Sequence, residues 1–164
     1  MIIDLEPVFN NVGSVRDISY ELDLSGESFE GMKPFSSPVK VNAVISNRAG
    51  IVEINGEADM VINTVCDRCA KPLDYEHNTV ISHTLVADLN NKDNDELYLV
   101  KDYKLDVDGL VSEDIFLDFP VKFLCSDDCK GLCPKCGKDL NYETCSCKKD
   151  IDPRWAVLEQ LLDK

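Results

Sequence analysis

The sequence predicts an α+β fold, an antiparallel β-meander or partly open barrel with one packed helix, a cysteine-rich segment and a short C-terminal helix. Three observations predict it. Residues 51–65 alternate between apolar and polar side chains, no helices alternate with the strand-like runs as a parallel sheet would require, and the eight cysteines fall into close pairs. In the run over 51–65, Val52, Ile54, Ala58, Met60 and Ile62 share one face, while Glu53, Asn55, Glu57, Asp59 and Asn63 share the other. That is the period of a half-buried strand.

The remaining elements follow in order. Residues 39–45 alternate less cleanly, and Asn47-Arg48-Ala49-Gly50 supplies turn residues for a hairpin into the long strand. Residues 73–87, rich in Thr, Val, Ile and Tyr, make a third long strand. Shorter strands are expected at 2–5, 18–24 and 97–100, and the polar run 88–96 is expected to be an exposed loop. Leu110, Val111, Ile115 and Phe119 recur at helical spacing within 108–119, and Pro120 stops the run. Asp152-Pro153-Arg154-Trp155 offers an N-cap acid and a proline at the first helical position, and Trp155, Leu158, Leu161 and Leu162 would share one face. The expected organisation is an acidic β-rich body over 1–121, and a cysteine-rich segment with its helix over 122–164, packed on the body as one unit.

With 164 residues, 44% hydrophobic and 29% charged, the chain can bury a core of its own. No run is long and apolar enough to span a bilayer as a helix, and acids stand at the start where a secretory signal would carry Lys or Arg. A cytoplasmic location is expected, with no membrane partner. Of the net charge of −14, residues 1–121 carry nine Lys and Arg against 23 Asp and Glu, whereas 122–154 carry seven against six. Such a body repels phosphate backbones and suits a basic protein partner.

In a reducing compartment paired cysteines are read as metal ligands before disulfides. The pairs are Cys66-x2-Cys69, Cys125-x3-Cys129, Cys133-x2-Cys136 and Cys145-x-Cys147. Two thiolates two residues apart in a tight turn reach one tetrahedral ion, and amides of that turn donate to the sulfurs. Cys133-Pro134-Lys135-Cys136-Gly137 has the form of a zinc knuckle, with Gly137 free to take positive φ; Cys145 and Cys147 complete its four-sulfur set. Cys66 and Cys69, between two strands, are expected to share a second set with Cys125 and Cys129. The competing partition joins Cys125 and Cys129 to Cys133 and Cys136. One or two structural Zn²⁺ ions are thus expected.

All-cysteine sites are closed, so no catalytic role attaches to them. No Walker loop, GxSxG or HExxH motif is present, and no enzymatic activity is expected. His77 and His83 fall on one side of their strand but lack a ligand pattern. Candidate binding residues are Lys130, Lys135, Lys138 and Arg154, in the near-neutral segment to which any RNA contact would belong, and Trp155, which either packs on the metal-bound segment or core or docks a partner through its face.

Val65-Cys-Asp-Arg-Cys-Ala70, Glu113-Asp-Ile-Phe-Leu-Asp-Phe-Pro-Val-Lys-Phe-Leu-Cys125, Asp128-Cys-Lys-Gly-Leu-Cys-Pro-Lys-Cys-Gly-Lys-Asp-Leu-Asn141 and Asp152-Pro-Arg-Trp-Ala-Val-Leu158 resemble, in the same order, the YceD family of bacterial and plastid proteins. The resemblance implies a role in accumulation of large-subunit (23S) ribosomal RNA. It also implies a partner among basic ribosomal proteins or factors of ribosome assembly and rRNA processing. The competing class is a thiol- or metal-responsive regulator in which Cys66 and Cys69 cycle between thiol and disulfide.

Overall fold

The computed structural model describes residues 1–29, 31–87 and 97–147. Its described residues form two compact units. One comprises Met1–Val65 and Pro72–Phe123; the other comprises Cys66–Lys71 and the stretch from Leu124 onward. The expected loop over 88–96 and the expected helix from Asp152, with Trp155, Leu158, Leu161 and Leu162, lie outside the described residues.

The first unit contains β1 (Ile2–Asp4), α1 (Glu6–Asn10), β2 (Val15–Leu22), β3 (Val39–Arg48), β4 (Ile51–Val65), β5 (Pro72–Val86), β6 (Leu97–Leu99), β7 (Lys104–Asp106) and α2 (Val107–Leu117). Strands β2-β3-β4-β5-β6 form a curled five-stranded sheet in that order, while β1 pairs with β7 in a separate ribbon. From β2 to β5 each neighbour is antiparallel, as expected of a meander.

Two expectations are corrected. The sheet is not wholly antiparallel, because β6 lies parallel to β5, Thr84 opposite Leu97 and Val86 opposite Leu99. Leu97 enters beside Thr84, and the strand then advances to Leu99 beside Val86, in the direction of β5. The first strand also does not join the meander. Its Ile3 is buried opposite Leu105, and a three-residue partner such as β7 is too short to show a period in sequence.

In β4 the alternation translates directly into burial: Val52, Ile54, Ala58, Met60 and Ile62 are all in the core. Gly56 falls in the same series opposite Ala43. A Cβ there would run into the carbonyl of Asn42 and the backbone of Ala43, so this glycine lets β3 and β4 close on each other in the curled sheet.

The hairpin between β3 and β4 is tighter than the four-residue turn expected. Arg48 pairs with Ile51, leaving Ala49 and Gly50 alone in the turn with φ of 54° and 88°. Two positive φ values match the twist of the flanking strands. Asn47, expected in that turn, is a buried strand residue. Its amide Nδ2 donates to the carbonyls of Val8 (2.8 Å) and Phe9 (3.2 Å), and its Oδ1 accepts from the Gly50 N–H. The last carbonyls of α1 thereby gain the partners that a helix end lacks.

The expected helix is present as α2, with Leu110, Val111 and Ile115 buried, joined by Val107. Phe119, just past its end, packs against Phe29 (4.3 Å between ring centroids) and Phe35 (6.1 Å). The two β5 histidines do share one side, and α2 meets them with carboxylates. His83 Nε2 lies 2.8 Å from Asp114 Oδ2, and His77 Nε2 lies 3.1 Å from Asp118 Oδ2. Their partners are these carboxylates, so they serve the packing of helix on sheet.

Ile54→Ala should lower unfolding free energy by about 2 to 5 kcal/mol. Gly56→Ala, which adds a single carbon, should lower it by about 1 to 3 kcal/mol. Glu57→Ala, on the outer face, should stay within about 0.5 kcal/mol of the parent. Urea midpoints of the three variants check the ranking.

Candidate metal centre

The second unit is built on two turns of one design. In Cys66-Asp67-Arg68-Cys69-Ala70-Lys71, the Cys66 N–H donates to the Lys71 carbonyl and the Ala70 N–H to the Cys66 carbonyl, both at 2.8 Å. In Cys133-Pro134-Lys135-Cys136-Gly137-Lys138, the Cys133 N–H donates to the Lys138 carbonyl (2.8 Å) and the Gly137 N–H to the Cys133 carbonyl (2.9 Å). Each turn closes through a residue with positive φ, 57° at Ala70 and 71° at Gly137. The glycine suits that region at no steric cost, as expected of it, while the alanine adopts it against its preference.

Each turn contributes two sulfurs to a set of four. Cys66, Cys69, Cys125 and Cys129 form one set and Cys133, Cys136, Cys145 and Cys147 the other, with all sulfurs of a set within 4.8 Å of one another. Cys66 Sγ lies 3.8 Å from Cys129 Sγ, and Cys69 Sγ lies 3.6 Å from Cys125 Sγ. Around a single ion at about 2.3 Å, a sulfur tetrahedron has edges of about 3.8 Å. Disulfides need about 2.05 Å, and all eight cysteines are free thiols. The donor sets therefore fit a tetrahedral thiophilic cation, and the partition into 66/69/125/129 and 133/136/145/147 is the first of the two that the spacing allowed.

The electrostatics of the two turns match as well. The Cys125 amide, and then those of Cys69 and Arg68, point at the Cys66 sulfur and, against burial, bring its thiol down to about 6. The amides of Cys136 and Lys135 do the same for Cys133, also to about 6. At Cys69 the Lys71 amide acts downward, but burial and the sulfurs of Cys66, Cys125 and Cys129 prevail and push the thiol up to about 12. The Cys136 sulfur, burial and Cys133 push Cys147 up to about 12. Cys125 is raised, chiefly through Cys129. Each set thus offers one ready thiolate and holds other protons firmly until a cation neutralises the cluster.

Three residues that support the first set carry no ligand chemistry, and spacing rules passed over them. Arg68 Nη1 donates to the carbonyls of Cys129 (2.7 Å) and Asp127 (3.3 Å). Asn141 accepts the Lys130 N–H at Oδ1 (2.7 Å) and donates from Nδ2 to Cys129 Sγ (3.5 Å). Gly131, at φ 74°, lets the Leu132 N–H reach the Arg68 carbonyl at 2.9 Å; a Cβ there would stand 2.8 Å from that oxygen. Among the candidate binding residues, Lys130, Lys135 and Lys138 are exposed, and Lys138 Nζ lies 3.1 Å from Glu143 Oε2. Arg154 and Trp155 lie outside the described residues.

Two expected outcomes follow from this geometry. Loading the apoprotein with a divalent thiophilic ion at pH 7 should release protons, because Cys69 and Cys147 surrender theirs on binding. The bound state holds fewer protons than the free one, so affinity rises with pH and falls as pH drops through about 6, where Cys66 and Cys133 regain theirs. Calorimetry in buffers of different ionisation enthalpy measures this. Gly131→Ala should weaken the first set's affinity roughly 10- to 100-fold, whereas Ala70→Gly should retain it; competition with a chromogenic chelator reads both.

Comparison with known proteins gives the chain its relatives. The family model described as large ribosomal RNA subunit accumulation protein YceD matches residues 54–162, a span that contains all eight cysteines. YlbN of Bacillus subtilis is 30% identical over 157 residues, covering 88% of each chain. An uncharacterised protein of Mycobacterium tuberculosis is 30% identical over 122 residues, 68% of this chain and 59% of its own. The chain spans about three fifths of the length of the mycobacterial proteins it matches. A Zea mays protein named large ribosomal RNA subunit accumulation protein YCED homolog 1, chloroplastic, is 24% identical over 162 residues, 78% of this chain and 55% of its own. No solved structure is significantly similar. Among the described residues no helix is long and apolar enough to cross a membrane. With two thirds of its length matched by that family model, the chain belongs to the YceD family.

Proposed function

We propose that the protein is a non-catalytic factor that supports accumulation of large-subunit ribosomal RNA, acting by binding a partner. Two Zn²⁺ ions hold its cysteine-rich unit, and its acidic sheet unit attracts a basic ribosomal protein or assembly factor. The observation that carries this reading is the pair of closed four-sulfur sets, each within 4.8 Å. A single tetrahedral ion with four protein ligands leaves no position for substrate, so the metal stabilises and does not react. An iron–sulfur cluster distributes its cysteines over separate irons and sets the sulfurs wider apart. The names of the plant relatives support the rRNA role.

Charge supports the choice of partner. Nine Lys and Arg against 23 Asp and Glu over 1–121 repel phosphate and attract basic protein. Direct rRNA contact is left to the cysteine-rich segment, through Lys130, Lys135 and Lys138 with Arg154, and Trp155 is left to packing or to partner docking. The cytoplasm, or the plastid in the plant relatives, is where such a factor meets ribosomes.

Protein purified without chelator should contain two zinc ions per chain, and Cys69→Ser or Cys133→Ser should each leave one. Because binding at such a site amounts to roughly 10 to 16 kcal/mol, chelation should unfold the cysteine-rich unit; thiol reagents then label all eight cysteines. Rapid labelling of Cys66 and Cys69 alone, in native protein, would instead favour the thiol-responsive regulator. Affinity capture from cells, read by mass spectrometry and RNA sequencing, should recover large-subunit ribosomal proteins and precursor rRNA. Recovery of neither would overturn the proposed role. Charge reversal at Lys130, Lys135 and Lys138 that leaves capture unchanged would exclude direct RNA contact through them.

A further inference from the structure

Among the described residues, the edge of β5 opposite β4 has no partner strand along most of its length. Pairing with β4 runs without interruption from Val52 opposite Leu85 to Val65 opposite Pro72, whereas β6 covers only Thr84 to Val86. The Val86 carbonyl accepts the Val100 N–H, which marks the side facing away from β4. Backbone groups alternate sides along a strand, so Asp74, Glu76, Asn78, Val80 and Ser82 aim their N–H and C=O groups at that same side. Among the described residues, no backbone hydrogen bond reaches them there. Pro72, in the same series, has no N–H to leave unpaired. Open edges of this length are templates for strand pairing.

A second observation points to a ligand at the same place. Beside the edge, β5 and α2 border a groove of about 580 Å³ lined by His77 to Val80 and by Asp114, Leu117 and Asp118. Thr79, which lines it, is 1% exposed, and its hydroxyl has no hydrogen-bond partner among the described residues. The groove also exposes apolar surface, with Val80 71% and Leu117 81% exposed.

We propose that this edge takes an extended segment of a basic protein as an added strand, laid in the groove between β5 and α2. The inference rests on the reading that the acidic unit binds a basic partner, and it names where and how. Main-chain hydrogen bonds to Glu76, Asn78 and Val80 supply the pairing, and alternate side chains of the guest supply the selection. Among the described residues no Lys or Arg lines the groove, while Asp114 and Asp118 do, and Asp118 stays half exposed beside its His77 contact, so the guest carries Lys or Arg alternating with small apolar residues that cover Val80 and Leu117. A second copy of this chain would bring the same carboxylates together at a net charge of −14 each, and RNA would bring phosphate against them.

The test uses the full zinc-loaded chain and a synthetic peptide of about twelve alternating lysine and valine residues. Amide exchange of Glu76, Asn78, Val80 and Ser82 should slow at least about tenfold on saturation. Val80→Pro removes an N–H that faces outward and breaks no bond to β4, so it should weaken peptide binding at least about tenfold without changing the melting transition. Should that variant fail to fold, N-methylating alternate residues of the peptide removes the guest's donors without touching the protein, and binding should again be lost. Binding that leaves these amides unprotected, or that survives N-methylation, overturns the proposal. Protection of the same amides by self-association, or by an oligoribonucleotide, overturns it too. Zinc content and captured rRNA are unaffected by any of these results, so the proposed function stands or falls separately.

Discussion

Four thiolates within 4.8 Å of one another cannot coexist without a cation, and the cysteine-rich unit is organised around that constraint. Among its described residues there are few elements of regular structure, and the buried Cys66, Cys69 and Cys129 with Leu124 make a small apolar cluster. The turns answer the electrostatic problem in part by aiming amides at one sulfur of each set, at Cys66 and at Cys133. The remaining repulsion, visible in the raised thiols of Cys69 and Cys147, is what a divalent ion would remove.

The sheet unit obeys a different physics. Its core is continuous from Ile3 through the strands to α2 and Phe123, and its stability rests on apolar burial. Among its buried polar residues Asn47 satisfies the backbone end of α1. The paired His83 and Asp114, and His77 and Asp118, join helix to strand at the margin of that core. The two units thereby differ in what organises them, clustered sulfurs in one and apolar burial in the other.

Much of this was legible in the residues. The burial series of β4, the helix from 107 to 117 and the pairing of the cysteines into half-sites all follow from short-range periods, 2.0 for a strand, 3.6 for a helix and a two-residue gap for a turn. The same rules overlooked Arg68, Asn141 and Gly131, because an arginine that holds carbonyls, an amide that donates to sulfur and a glycine that admits a close approach have no spacing of their own. They also missed the direction of β6 and the partner of β1, both of which are three-residue strands with no period to read.

By itself, the sequence determined the three long strands, the helix α2 and the cysteine half-sites, since each is governed by contacts within a few residues, but neither the five-residue α1 nor the three-residue β7. Only the tertiary structure decided which cysteine pairs share a set, which way the last strand of the sheet runs, and that most of one edge of β5 has no partner strand among the described residues. Those outcomes depend on where segments some 60 residues apart converge, as Cys66 and Cys129 do at 3.8 Å, and no local period encodes such a meeting.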